Sequence, residues 1–297
     1  MPDSSASAIS SILVAIDGSK NALAACRVAA SIAKAAHAGV ALLYIDLASA
    51  SEPRGGKPTV PSEIVRKQRI MDEAVSAVGD NALIVGRNVV SERASVVRAI
   101  TEYADGGDFD LVVLGTRGLG GFKRLTIGSV SSGVATHARK AVLVVRSDSI
   151  GKEPLLRRIV AAADGSANSK HAISAAARFA KTLGAELEIV HVIHVPEISH
   201  APTTLVPLGE IEEGARLNGE RVLAEAASLA QSEGVSAKCK IRKGVSPAQG
   251  IVDYADANHI DLIVIGARGL GGFRKLLLGS VSNSVLHYAN CSVLVVK

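Results

Sequence analysis

Two stretches of the chain carry the same pattern of residues suited to holding an anion. Residues 115–129 read GTRGLGGFKRLTIGS and residues 266–280 read GARGLGGFRKLLLGS. Each is Gly-x-x-Gly, nine residues, then Gly-Ser, and each follows a short apolar run, LVVL at 111–114 and LIVI at 262–265. A strand that enters a glycine-rich loop and leaves it at a helix start offers main-chain N–H groups and the positive end of a helix dipole. Gly115 and Gly118 leave the main chain free to reach positive φ and let a ligand come close, while Ser129 and Ser131 add hydroxyls. Arg117, Lys123 and Arg124 place positive charge in or beside the first loop. Two better-known phosphate signatures are absent: no GxxxxGK[ST] occurs, and GLGGFK does not complete GxGxxG.

The elements that must position these loops are also duplicated. ILVAIDGS at 12–19 answers IVAAADGS at 159–166 at an offset of 147, whereas the loops lie at an offset of 151, so the second copy has gained four residues between its second and third strands. VLVVR at 142–146 answers VLVVK at 293–297. The polar stretch SDSIGKEPLLRR at 147–158 separates the copies, giving expected domains 1–150 and 151–297. In the first copy, strands are expected at 12–16, 40–45, 83–90, 111–114 and 142–146. Helices are expected near 20–36 with Ser19 as N-cap, 62–78 with Ile64, Met71, Val75 and Val78 on one face, 95–104 and 129–139. Ser246-Pro247 marks a matching helix start in the second copy.

Near-continuous Val/Ile/Leu strands alternating with helices predict an α/β fold with a parallel sheet covered on both faces. In such sheets ligands sit beyond the carboxyl ends of the strands, where strand order reverses. With the first and fourth strands adjacent, Asp17 and the 115–129 loop share one crevice, and Asp164 and the 266–280 loop share another. A carboxylate for a ribose or base then faces a loop for phosphates. Asp in a DGS sequence also serves turns with no ligand at all.

Composition narrows the alternatives. At 48% hydrophobic and 21% charged, the 297 residues suit a soluble globular chain with two cores. No apolar run approaches a membrane span, and the leader MPDSSASAISS lacks the basic and apolar regions of a secretory signal, so a cytoplasmic protein is expected. Cys26, Cys239 and Cys291 are odd in number and form no CxxC, which fits a reducing compartment and neither a disulfide framework nor a zinc site. The net charge of +5 is spread along the chain, aromatics make up 3% and Trp is absent, a poor match to nucleic-acid binding. His191 and His194 lie three apart on a strand and point to opposite faces, so they form no chelate.

Gly-x-x-Gly, nine residues and Gly-Ser after the fourth strand, with Asp ending the first, resembles the nucleotide-binding universal stress proteins, and both halves match along their length. The resemblance implies two tandem, open, parallel five-stranded sheets of order 3-2-1-4-5 flanked by helices, Rossmann-like and of the adenine-nucleotide alpha-hydrolase type. It implies ATP in each crevice, with Asp17 able to help hold Mg2+ beside the phosphates. By position it implies base and ribose contacts at Ala15, Asp17, Val40, Leu114 and Gly115, and at Ala162, Asp164, Leu187, Ile265 and Gly266. Phosphates would lie on Gly118, Gly128, Ser129, Val130 and Ser131, and on Gly269, Gly279, Ser280, Val281 and Ser282. It also implies that the two halves pair through their last strands, with a homodimer of tandem chains as a further assembly, while composition points to no membrane or nucleic-acid partner. Before the last strand the family often has Cys-Pro, where this chain has Lys140-Ala141 and Cys291-Ser292. Thr116 against Ala267 and Ser132 against Asn283 make the two sites unequal near the phosphates.

No nucleophile–base arrangement is visible, and one carboxylate per site falls short of two-metal hydrolysis. The sequence favours a binding protein governed by ATP occupancy, a stress-response regulator or sensor. A slow ATPase or autophosphorylating protein using Ser129 or Ser131, and a structural interaction module with empty crevices, stay open beside it. Gly118→Val combined with Gly269→Val is expected to abolish nucleotide binding in an ATP titration while the thermal transition of the ligand-free protein barely moves. Retained affinity would place the site elsewhere.

Overall fold

The computed structural model describes residues 9–47, 61–92, 95–116, 127–146, 156–194, 208–269 and 278–297. They form two compact units, Met1–Leu155 and Leu156–Lys297. Of the separating stretch at 147–158, all but the last three residues lie outside the described set, as do Gly118, Arg117, Lys123 and Arg124.

The first unit runs β1 (Ser11–Ile16), α1 (Lys20–Ala36), β2 (Gly39–Leu47), α2 (Pro61–Val78), β3 (Leu83–Glu92), α3 (Val96–Gly106), β4 (Leu111–Gly115), α4 (Ser129–His137) and β5 (Ala141–Val145). The second runs β6 (Arg158–Ala162), α5 (Ala167–Leu183), β7 (Glu186–His194), α6 (Leu208–Ser232), β8 (Ala237–Gly244), α7 (Pro247–Ala257), β9 (Leu262–Gly266), α8 (Ser280–Tyr288) and β10 (Ser292–Val296). Every pairing within a unit is parallel. The first sheet has the order β3-β2-β1-β4-β5, and the second β8-β7-β6-β9-β10. This is the expected 3-2-1-4-5 arrangement in each copy.

Both sheet faces are covered because the central strands are apolar throughout: Ile12, Leu13 and Val14 are buried in β1, and Leu262, Ile263 and Val264 in β9. Helix α1 lays Ala22, Ala25, Ala29, Ile32 and Ala33 on its sheet, small side chains at helical spacing that let the axis come close. Ser19 caps it by accepting from the Ala22 N–H, and His37 ends it in the left-handed region at φ 55. Gly184 ends α5 in the same way at φ 63.

Two expectations change. Ile64 is not part of the buried stripe of α2, which is Ile70, Met71, Ala74 and Val78; residues 63–66 are all exposed. The four-residue gain of the second copy is a balance of several changes. Ile70 of α2 lies against Gly18 as Val222 of α6 lies against Gly165, an offset of 152 and thus five more than 147. At the start of the third strand Ile84 and Ala237, the partners of Val40 and Leu187, stand 153 apart; the bulge that leaves Val85 extra brings Gly86 and Lys238 to 152, and the helix caps Ser95 and Ser246 that follow stand at 151.

The edge strands β3 and β8 differ in surface chemistry. Leu83, Val85 and Val89 of β3 are exposed with Arg87 between them, whereas Lys238, Lys240, Arg242 and Lys243 occupy the exposed positions of β8.

The second unit also has a polar network without a counterpart among the described residues of the first. Glu188 of β7 is buried, accepts from Arg158 Nη2 at 3.2 Å and accepts a hydrogen bond from the Tyr254 hydroxyl of α7. Arg242 lies over the Tyr254 ring at 5.6 Å. The first unit has Ala41 at the place of Glu188, and Tyr103 stacks on Phe109 with ring centroids 6.0 Å apart. Burial and the hydrogen bond to Glu188 push the Tyr254 hydroxyl up to about 12. Because the folded chain holds that proton more tightly, its stabilisation is complete below the ordinary tyrosine range and fades from pH 10 to about 12. Tyr254→Phe leaves the Glu188 carboxylate short of a donor and is expected to cost about 1–3 kcal/mol at pH 7 in urea unfolding. The gap to wild type should narrow as the pH is raised through 10 to about 12.

Candidate functional site

Each crevice begins where β1 or β6 ends in Asp-Gly-Ser. Asp17 Oδ1 accepts from the Ser19 N–H at 2.9 Å, and Asp164 Oδ1 accepts from the Ser166 N–H at 2.9 Å. Gly18 and Gly165, both at φ +82, make these turns possible. One oxygen of each aspartate therefore holds the turn. The register continues β1 against β4 so that Asp17 is level with Thr116, and β6 against β9 so that Asp164 is level with Ala267.

The first loop glycine is set by packing rather than by a positive φ. Gly115 and Gly266 are absent from the positive-φ residues. A Cβ on Gly115 would lie 2.5 Å from the Asn21 carbonyl carbon, and one on Gly266 would lie 2.7 Å from that of Asn168. Strands β4 and β9 thus end directly against the first turn of α1 and α5. The later glycine faces the ligand side: a Cβ on Gly269 would collide with Asp164 Oδ2. This brings the carboxylate and the glycine loop into one crevice in the second unit.

The loops close identically. Gly128 N–H donates to Thr116 O at 2.7 Å, and Gly279 N–H donates to Ala267 O at 2.7 Å. Beyond them start α4 and α8, and no side chain caps either helix. Four other helices, α1, α3, α5 and α7, have a serine side chain on their first amides. At α4 and α8 the glycine N-cap presents the amides of Ser129, Val130 and Ser131, and of Ser280, Val281 and Ser282, to the crevice without a competing side chain.

The serines divide their work. Ser129 and Ser280 are exposed. Ser131 Oγ donates to Gly115 O at 2.6 Å and Ser282 Oγ to Gly266 O at 2.7 Å, both largely buried. Their protons belong to the strand ends, so these hydroxyls do not donate to a phosphate.

Ala15, Leu114 and Gly115 meet at the carboxyl edge of the first sheet, and Ala162, Ile265 and Gly266 at that of the second. Ala15 and Ala162 are half-open residues in otherwise buried strands. Val40 and Leu187 do not belong with them. Val40 pairs with Ile12 and Leu187 with Ile159, at the amino-terminal side of the sheets, where both are buried in the core. The residues level with Asp17 and Asp164 on the next strand are Ile45 and Val192, found by extending the pairs Ile16–Tyr44 and Ala162–Val190. Matching strand ends, rather than strand starts, finds them from sequence. Gly118 lies outside the described residues.

A doubly wound α/β domain, made twice, with an aspartate, a glycine-ended strand and an uncapped helix start gathered at the switch point, has the architecture whose crevice lies beyond the carboxyl ends of the strands. The universal stress protein family model matches residues 9–146 and again 156–297, so this chain belongs to that family in tandem form. A universal stress protein of Mycolicibacterium smegmatis is 29% identical over 296 residues, covering 96% of each chain. Universal stress protein YxiE of Bacillus subtilis is 34% identical over 149 residues, 48% of this chain and 100% of that one. A universal stress protein structure from Archaeoglobus fulgidus shares the fold with a TM-score of 0.69 at 20% identity, covering 97% of this chain and 98% of that one.

Gly115→Ala or Gly266→Ala is expected to lower stability by about 1–3 kcal/mol in urea unfolding, because backbone must move. Gly279→Ala, whose Cβ would meet nothing closer than 3.4 Å, is expected to cost about 1 kcal/mol or less, the difference between glycine and alanine as a helix N-cap.

Proposed function

We propose that each domain binds one adenine nucleotide, ATP, and that the chain is a binding protein whose conformation and partner choice follow occupancy. The observation that carries this reading is the pair of uncapped helices α4 and α8 at the end of glycine loops, in a chain that caps four other helices with serine. Bare first-turn amides with a positive dipole end suit a phosphate. Asp17 and Asp164, each with one oxygen engaged by its turn, supply the acceptor for a ribose hydroxyl beside Ile45 and Val192, which offer apolar surface to a base.

Binding is favoured over chemistry. The described residues hold no group of three or more His, Cys, Asp or Glu suited to a metal, and Ser131 and Ser282, with their hydroxyl protons committed to Gly115 and Gly266, are poor phosphoryl acceptors. No helix among the described residues is long and apolar enough to cross a membrane.

Freshly purified protein should release adenine nucleotide on denaturation, or take up ATP when it is added, at a ratio approaching two per chain. A ratio near one would mean that one crevice has lost the function. No release and no uptake would favour a structural module, and steady phosphate production would favour an ATPase.

A further inference from the structure

Strand β8 is the outer strand of the second sheet. Among the described residues it pairs with β7 alone, from Leu187–Ala237 to His194–Gly244. An outer strand turns every second N–H and C=O away from its sheet, where another strand can take them. The two faces of β8 say what that other strand should carry.

One face is cationic. Lys238, Lys240 and Arg242 alternate along it, all exposed. Lys238 reaches Glu186 at 3.0 Å, and Arg242 lies over the Tyr254 ring at 5.6 Å, so this is the face turned toward α7. Lys240 and Arg242 have no carboxylate partner among the described residues. The other face is apolar. A groove of about 450 Å³ lies between α6 and β8, lined by Leu223, Ala224 and Ala227 of the helix and by Cys239 and Ile241 of the strand. The two alanines are too small to fill it. Glu220 at the groove is already paired with Arg216, and Lys243 on the same face is paired with Glu212 at 2.6 Å.

We propose that the open side of β8 is a docking edge for an extended acidic segment of another protein. A strand laid along β8 alternates its side chains between the same two faces. Asp or Glu at every second position then stands beside Lys238, Lys240 and Arg242, and small apolar residues between them enter the α6 groove. Main-chain hydrogen bonds supply affinity, and the alternation supplies selectivity. A second β8 is repelled by the very cations that attract this partner, so the edge is closed to its own kind and open to an acidic strand. The inference is independent of the nucleotide reading.

The test uses the full chain and a fluorescent peptide as long as β8, eight residues, alternating glutamate with valine and read by anisotropy. Saturable binding is expected. Lys240→Glu should weaken it about tenfold, by exchanging a cross-strand ion pair for a like-charge pair. Ala224→Phe, which fills the groove from a solvent-facing helix position, should weaken it about fivefold. Both are surface substitutions and should keep the thermal transition of wild type. Cys26 and Cys291 are buried and Cys239 is not, so bound peptide should slow alkylation of Cys239 by iodoacetamide. The same peptide N-methylated throughout, which cannot donate main-chain hydrogen bonds, should bind about tenfold more weakly. Equal binding by the N-methylated peptide, or by one with its glutamates and valines in two blocks, makes the edge a general anion surface and overturns the inference. A single-stranded RNA that binds as tightly and displaces the peptide assigns the cations to nucleic acid and overturns it too. So does wild type that fails to bind the peptide, or binding that leaves Cys239 equally reactive.

Discussion

A missing side chain sets the geometry of both crevices. At Gly115 and Gly266 the chain passes so close to the first turn of α1 and α5 that a single Cβ would lie 2.5 Å and 2.7 Å from backbone. That closeness lets the strand end at the height of the aspartate turn. The hydrogen bonds from Gly128 to Thr116 and from Gly279 to Ala267 bring the starts of α4 and α8 back to the same strand ends. The serine tethers to Gly115 O and Gly266 O fix α4 and α8 to the loop base. Carboxylate, strand end and helix start are thus held at one point.

The same arrangement separates two roles that look alike in sequence. Gly115 and Gly269 both belong to Gly-x-x-Gly motifs, yet the first position is occupied by helix backbone and the second faces a carboxylate. Ser129 and Ser131 are two residues apart, and one is exposed while the other is spent on a strand carbonyl. Strand end and helix start are held by backbone and serine contacts, and the first amides of α4 and α8 carry no side-chain cap.

Much of this was legible in the residues. The duplication and the alternating elements follow from apolar runs separated by helical stretches, which demand a parallel sheet buried on both faces, whereas the 3-2-1-4-5 order was implied only by the resemblance to the universal stress proteins. The capping roles of Ser19 and Ser246 were equally plain. Position along a strand was harder: Val40 and Leu187 are the right residue type in the right strand, but periodicity does not say which end of a strand reaches the crevice. Register does, and it points to Ile45 and Val192. Ile64 matched the helical period of α2 without being covered, since period reports a face and says nothing of how far the sheet beneath extends. The bulge at Val85 and the Glu188–Tyr254–Arg158 network were invisible because each depends on partners remote in sequence.

The contrast between the edge strands bears on how the protein behaves when concentrated. An open edge is a template for another strand, and evenly spaced lysine and arginine deter self-pairing because like charges would be brought face to face. Strand β8, with Lys238, Lys240 and Arg242, is guarded in this way. Strand β3 offers Leu83, Val85 and Val89 to the solvent with a single charge, Arg87, between them, and its principal irregularity is the bulge. Colloidal stability is therefore unevenly distributed over the molecule: with rising salt β8 loses the protection of its charges, whereas the stickiness of β3 is present from the start.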